Sequence, residues 1–401
     1  MSVPVDAAAR RRAAFHHLEV SAVRRLTEDA IEVTFGVPAE LAGHYDYLPG
    51  QYVALRMNMP DDAGVEREVR RSYSICAAPM AFEDGSSEIK VAIKRDLGGE
   101  FSTWANAELT AGMSMDVMSP MGAFISKHGR NGDAGMHNVL ASMNHPEELA
   151  GRAGTFVAIA AGSGITPVMA IARTLLAGNQ DTRLDLIYAN KASMDVMFLE
   201  ELADLKDRYP ARLALHHVLS REQRIAPLLS GRIDAAKLET LLNTAIHTDD
   251  VDEWFLCGPF ELVQLCRDVL AARGVPKDRI RFELFSTGLP DRPEGQAGRV
   301  VVADESAESY KITFTLDGLK GEVASPTHAR ESILNAALRV RPDVPFACAG
   351  GVCGTCRAKL VSGSVDMEEN YALEPDELEK GYVLTCQAHP TTPAVTVDYD
   401  V

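Results

Sequence analysis

Apolar residues recur at every second position in Ile31-Glu-Val-Thr-Phe35 and Ile89-Lys-Val-Ala-Ile93. That period marks strands with one face turned to a core. Short runs of this kind, broken by turn residues, continue from about Phe15 to Phe124 and predict an antiparallel β-barrel over residues 1–126. The pattern then changes. Phe156-Val-Ala-Ile-Ala-Ala161 is apolar throughout, as a parallel strand covered on both faces requires. Leu184-Asp-Leu-Ile-Tyr188 and Trp254-Phe-Leu-Cys257 read as further strands with helical stretches between them, so residues 152–286 predict a doubly wound α/β domain.

Two segments lack either period. Residues 127–151, rich in Gly, Asn, His and Met, read as an inserted surface loop. Thr287-Gly-Leu-Pro-Asp-Arg-Pro-Glu-Gly-Gln-Ala-Gly298 opens a linker over 287–308, which leaves 309–401 as a third domain. A multidomain reading agrees with the length, since 401 residues exceed one ordinary core. No internal repeat is visible.

Charge and cysteine usage narrow the function classes. A net charge of −17 disfavours nucleic acid and anionic membrane as partners. The arginines near the N-terminus have no apolar run behind them, so no signal peptide is expected, and no stretch is long enough to cross a bilayer. Seven cysteines, four of them in one spaced set, suit a reducing compartment, and the expected location is cytoplasmic. Asp366, Glu368, Glu369, Glu374, Asp376, Glu377 and Glu379 form an acidic stretch. It reads equally as a solvated face or as a docking surface for a basic partner.

The spaced set is Cys348, Cys353 and Cys356 in Pro345-Phe-Ala-Cys-Ala-Gly-Gly-Val-Cys-Gly-Thr-Cys356, followed after twenty-nine residues by Cys386. Two irons bridged by sulfides need four thiolates, and C-x4-C-x2-C…C is the spacing of a plant-type [2Fe–2S] ferredoxin. Gly350, Gly351 and Gly354 would let the loop backbone approach such a cluster. Structural zinc sites usually pair two C-x2-C knuckles, and only one is present.

Arg71-Ser72-Tyr73-Ser74 carries the chemistry expected of the barrel. Arginine can grip a flavin phosphate through two N–H groups, and a tyrosine two residues on shares its strand face and can cover the isoalloxazine. The serine beside it can donate to flavin N5. Gly98-Gly99-Glu100-Phe101-Ser102 is a Gly-rich turn opening a helix whose N–H groups suit a pyrophosphate, and Pro49-Gly50-Gln51 and Lys94 complete the pattern.

In the second domain Gly162-Ser-Gly-Ile-Thr-Pro167 follows the apolar strand and leads into a helix expected from near Val168. Gly162, Gly164, Thr166 and Pro167 form a G-x-G-x-x-P variant of the dinucleotide turn, with the proline in a first helical turn where a missing N–H costs little. Ser220-Arg221 ends the strand Leu213–Leu219, and a hydroxyl with a guanidinium suits a 2′-phosphate better than a bare ribose, with Arg232 assisting. NADPH is therefore favoured over NADH. Cys76 and Cys266 read as core thiols.

In this order the motifs resemble the ferredoxin–NADP reductase superfamily with a fused C-terminal plant-type ferredoxin. The resemblance implies FAD, a [2Fe–2S] cluster on Cys348, Cys353, Cys356 and Cys386, and an α+β (β-grasp) fold for the last domain. It implies that Cys257, with Gly258 and Pro259, borders the nicotinamide, and that Glu283 and Phe285 lie close to the flavin. Ser74, Cys257 and Glu283 are the implied catalytic residues. A flavin exchanges both one and two electrons, which orders the path from nicotinamide to flavin to cluster to an external acceptor.

Gly363-Ser-Val-Asp-Met-Glu-Glu-Asn-Tyr-Ala-Leu-Glu-Pro-Asp-Glu-Leu378, Gly381-Tyr-Val-Leu-Thr-Cys-Gln-Ala388, Arg70-Arg-Ser-Tyr-Ser-Ile-Cys76 and Ala160-Ala-Gly-Ser-Gly-Ile-Thr-Pro167 look like the reductase subunits of phenylacetyl-CoA epoxidases. That finer resemblance implies a separate di-iron oxygenase, the phenylacetyl-CoA oxygenase components of phenylacetate degradation, as acceptor. The same chain could serve hybrid-cluster protein or another oxygenase. A zinc-stabilised interaction module on a diaphorase is the alternative from a different class.

Overall fold

The computed structural model describes residues 14–60, 66–96, 99–122, 124–126, 153–246, 250–285, 308–316, 318–341, 344–346, 354–368, 370, 373 and 375–400. The chain divides into two compact units, one spanning His16–Gly288 and one carried by Leu289–Val401. Gly98, Cys348, Cys353, the expected insertion 127–151 and residues 287–307 of the expected linker lie outside the described residues.

The larger unit opens with six strands: β1 (Phe15–Thr27), β2 (Ala30–Val37), β3 (Tyr52–Pro60), β4 (Glu66–Ser74), β5 (Ser87–Lys94) and β6 (Ser114–Met118), in the order β4-β3-β6-β1-β2-β5. Ile75 bridges to Val91, and the Cys76 N–H donates to the Lys90 carbonyl. These links join the ends of the sheet order and close it into a barrel around Val20, Phe35, Val53, Leu55, Val91 and Val117. The alternation in β2 predicts polar residues facing water, yet Glu32 and Thr34 are buried. The reason lies on the outer face of the barrel. Ala30, Cys76 and Ala92 pack into one core with residues of the parallel sheet, and Arg24 reaches Glu32 at 3.1 Å to compensate its charge.

Five parallel strands follow: β7 (Thr155–Ala161), β8 (Arg183–Asn190), β9 (Leu213–Leu219), β10 (Glu253–Gly258) and β11 (Ile280–Leu284), ordered β11-β10-β7-β8-β9. Alternate residues of β7 enter different cores. Phe156, Ala158 and Ala160 pack with the helix Ile165–Gly178, whereas Val157 and Ile159 pack with the helices Ala235–Thr244 and Phe260–Ala272. The continuous apolar run is thus a strand covered on both faces. Strand order reverses between β7 and β10, and ligands of such sheets bind beyond the carboxyl ends of the strands at that reversal.

The smaller unit contains β12 (Ser309–Leu316), β13 (Leu319–Pro326), β14 (Arg357–Ser362), β15 (Val365–Met367), β16 (Tyr382–Leu384), β17 (Ala388–Pro390) and β18 (Ala394–Asp398). Five of these strands form the sheet β13-β12-β18-β14-β16, with β12 and β18 parallel at its centre and an antiparallel β12–β13 hairpin at one side. The short helix Ile333–Leu338 packs Ile333, Leu334, Ala336 and Ala337 onto it. Among the described residues no helix is long and apolar enough to cross a membrane.

Candidate functional site

At the end of β4 the Ser74 hydroxyl donates to Glu283 Oε2 at 2.9 Å. Parallel register sets Cys257 of β10 opposite Glu283 of β11, and the Phe285 N–H continues the ladder to the Gly258 carbonyl at 3.0 Å. Burial first, and the Glu283 carboxylate second, push the Cys257 thiol well above its ordinary pKa, so it stays protonated. Three of the residues singled out in the sequence for catalysis therefore meet at one place, where β4, β10 and β11 end.

The turn after β7 comes up against the same point. Gly162 and Gly164 belong to a 3-10 turn that runs directly into the helix Ile165–Gly178. The helix thus begins three residues before the expected Val168, because Pro167 is tolerated in its first turn. A Cβ on Gly164 would fall 2.2 Å from the Cys257 carbonyl oxygen, so only glycine lets these two backbones touch. Gly162 has φ +52, and a Cβ there would meet no protein atom within 4 Å. That open cradle of backbone, at the point where the strand order reverses, fits a nucleotide pyrophosphate. Thr166 Oγ1 donates to the Ser163 carbonyl at 3.0 Å, and the Tyr188 hydroxyl donates to the Gly162 carbonyl at 3.0 Å. Sequence reasoning misses Tyr188 as part of this turn; its only signal there is an aromatic near the end of a buried strand.

On β4 the Ser72 hydroxyl is buried with no hydrogen-bond partner among the described residues. An orphaned buried oxygen of this kind marks a place for a polar ligand group, which fits a flavin cofactor. Tyr73 lies 5.9 Å from the Phe101 ring, and burial raises its phenol pKa. Arg71 folds Nη1 back onto the Arg70 carbonyl at 2.7 Å. Ser102 accepts from the Asp96 N–H at 3.0 Å and donates to the Gly99 carbonyl at 3.2 Å, which closes the turn ahead of the helix Glu100–Glu108. The structure gives Lys94 another occupation: its ammonium pairs with Asp29 at 2.8 Å across the β2–β5 ladder.

At the far end of the crevice Ser220 and Arg221 donate their N–H groups to the carbonyls of Asn190 and Lys191, at 2.9 and 2.7 Å. The β8–β9 ladder is thereby prolonged past the strand ends. Glu222 accepts from the Ser193 N–H and hydroxyl at 2.6 and 2.8 Å, tying the two loops together. The Arg221 and Arg232 side chains are exposed beyond this clasp.

In the smaller unit Cys356 and Cys386 are both buried. Arg357 pairs with Glu377 at 2.5 Å and lies over the Tyr382 ring. Glu377, read in the sequence as part of an acidic face, is therefore buried and engaged, while Asp366, Glu368 and Glu379 are exposed. Two soft sulfur donors buried next to each other's strand ends fit a thiolate-ligated iron–sulfur group.

Comparison with known proteins agrees with this division. Residues 158–268 match the oxidoreductase NAD-binding domain family, and residues 314–391 match the 2Fe-2S iron-sulfur cluster binding domain family. One of the subunits of the 1,2-phenylacetyl-CoA epoxidase of Escherichia coli K12 is 40% identical, over 96% of this chain and 98% of that protein. The ferredoxin reductase component of the 3-ketosteroid-9-alpha-monooxygenase of Rhodococcus rhodochrous is 31% identical over 95% and 96%. Among solved structures, phthalate dioxygenase reductase has the same fold, with a TM-score of 0.51 at 20% identity, covering 96% of this chain and 98% of that one.

Proposed function

Because the chain belongs to the ferredoxin–NADP reductase superfamily, among the oxygenase reductase components with a fused C-terminal [2Fe–2S] domain, we propose that it carries electrons from NADPH to a di-iron oxygenase that epoxidises phenylacetyl-CoA. The observation that carries the acceptor is the 40% identity to the epoxidase component along nearly the whole of both chains. The monooxygenase component from Rhodococcus stands lower, at 31%.

The chain's own residues divide the work. Ser220 and Arg221, with Arg232 nearby, hold the 2′-phosphate that distinguishes NADPH. The Gly162–Pro167 turn receives the pyrophosphate, and Gly258 and Pro259 leave the nicotinamide room beside Cys257. Arg71, Ser72, Tyr73, Gly98, Gly99 and Ser102 hold FAD, and Lys94 supports the sheet beside them. Bound flavin supplies the exchange between two-electron and one-electron chemistry. Ser74 and Glu283 fix a polar wall next to the buried, protonated Cys257, and Phe285 closes it. Cys348, Cys353, Cys356 and Cys386 ligate the cluster.

The test is NADPH oxidation by the purified chain with phenylacetyl-CoA oxygenase components, with and without phenylacetyl-CoA, and measurement of the epoxide formed. Substrate-dependent product in proportion to NADPH supports the reading. NADPH consumption and dye reduction without product would leave a reductase for a different oxygenase.

A further inference from the structure

Thr385 ties two of the proposed ligands together. Its N–H and its hydroxyl both donate to the Cys356 carbonyl oxygen, at 3.2 and 2.9 Å, and the next residue in the chain is Cys386. The side chain is fully buried, so water has no access to replace either bond. The Tyr399 hydroxyl stands 3.0 Å from Thr385 Oγ1. Donor and acceptor roles follow from proton counting. A carbonyl only accepts, so the single hydroxyl proton of Thr385 goes to Cys356, and Tyr399 must donate to Thr385. Tyr399 is itself held edge-on to Phe314, with ring centroids 6.4 Å apart, and its N–H donates to the Thr315 carbonyl.

We infer that Thr385 and Tyr399 are positioning residues that raise the reduction potential of the iron–sulfur cluster, by aiming two hydroxyl dipoles in series at the carbonyl of its ligand Cys356. The inference rests on the assignment of Cys356 and Cys386 as ligands. Reduction adds one negative charge to the cluster. Hydroxyls that donate to the Cys356 carbonyl offset the negative end of that carbonyl in the backbone of a ligand, which favours the reduced state, and in a buried site this effect is weakly screened. Hydrogen bonds in series polarise one another, so loss of the outer one weakens the inner one. Without the tyrosine hydroxyl, the negative end of the Cys356 carbonyl is less compensated and the cluster is harder to reduce.

The full-length chain, loaded with its cofactors, is titrated potentiometrically by visible and EPR spectroscopy as wild type, Tyr399→Phe, Thr385→Ser and Thr385→Val. Tyr399→Phe keeps the ring packing and removes only the hydroxyl. It is expected to shift the cluster's equilibrium about threefold towards the oxidised form, or about 28 mV for a one-electron couple. Thr385→Val shifts it further in the same direction, Thr385→Ser restores the wild-type value, and the flavin potential stays unchanged throughout. A wild-type potential in Tyr399→Phe, with only thermal stability lowered, would make the hydroxyl a packing feature and overturn the inference. Should Thr385→Val fail to assemble, the comparison of Tyr399→Phe with Thr385→Ser still decides. A wild-type chain without acid-labile sulfide would instead overturn the ligand assignment, and the relay with it.

Discussion

Ser74 on β4 and Glu283 on β11 are 209 residues apart in sequence and joined by a 2.9 Å hydrogen bond. One comes from the antiparallel barrel and the other from the edge of the parallel sheet, so the bond fixes the crevice where the expected flavin and nicotinamide sites face each other. Ser74→Ala removes the donor without altering volume much. Flavin reduction by NADPH, followed by stopped flow, should slow about tenfold or more, with cluster content unchanged, as expected when a placed polar group is lost. An unaltered rate would limit the pair to a structural tie.

Gly164→Ala tests the contact between two backbones. The added Cβ would lie 2.2 Å from the Cys257 carbonyl oxygen and 2.9 Å from the Gly258 nitrogen. Neither atom can retreat without disturbing β10, so a loss of about 2 kcal/mol or more is expected in urea unfolding, with weaker nucleotide binding. Gly43→Ala, whose Cβ would meet nothing within 4 Å, is the control and should be close to neutral.

Alkaline stability reports on a buried thiol. Burial raises the Cys266 pKa from 9.0 to about 12. Between those values the unfolded chain releases this proton and the folded chain keeps it, so the unfolded state binds fewer protons and stability falls as pH rises. The contribution is whole below pH 9 and lost through pH 12. Cys266→Ala should flatten the decline by up to about 1.4 kcal/mol per pH unit in this window. An equally steep decline in the variant would mean that the thiol titrates in the folded state.

Arg221→Ala addresses the coenzyme. The exposed guanidinium beside the Ser193–Glu222 clasp is proposed to meet a 2′-phosphate. Loss of a charge-assisted contact of about 1.5–3 kcal/mol should raise KM for NADPH at least tenfold, and that for NADH hardly at all. Parallel rises for both coenzymes would remove the phosphate role.

Cys386→Ser separates the two redox centres. The variant should lose the normal cluster spectrum and acid-labile sulfide yet retain NADPH-driven dye reduction, since Cys386 belongs to the smaller unit. Retention of a wild-type spectrum would displace Cys386 from the ligand set.

The elements legible in the sequence are those defined by local pattern. Phe156–Ala161 is apolar at every position because both faces of β7 are covered, and Gly162 and Gly164 stand where a turn and a backbone contact need them. Long-range pairings leave no such trace. Lys94 reads as a cofactor ligand because its Asp29 partner lies 65 residues away. Glu32 sits at a position that alternation assigns to water, and only the packing of the nucleotide half over the barrel explains its burial. Thr385 reads as an ordinary residue before a cysteine until β14, paired with β18 on one side and β16 on the other, brings Tyr399 to it.

Besides its own interior, the barrel shares a core with the parallel sheet. Ala30, Cys76, Ala92 and Phe124 share one core with Phe156, Ile171 and Phe255, and the Phe124 and Phe255 rings meet edge to face at 5.6 Å. A cut near residue 126 would leave apolar surface on both fragments, whereas a cut after Gly288 follows a boundary between compact units. The piece that can be grafted onto another scaffold, or left off, is therefore the iron–sulfur unit; the flavin and nucleotide halves are inherited together.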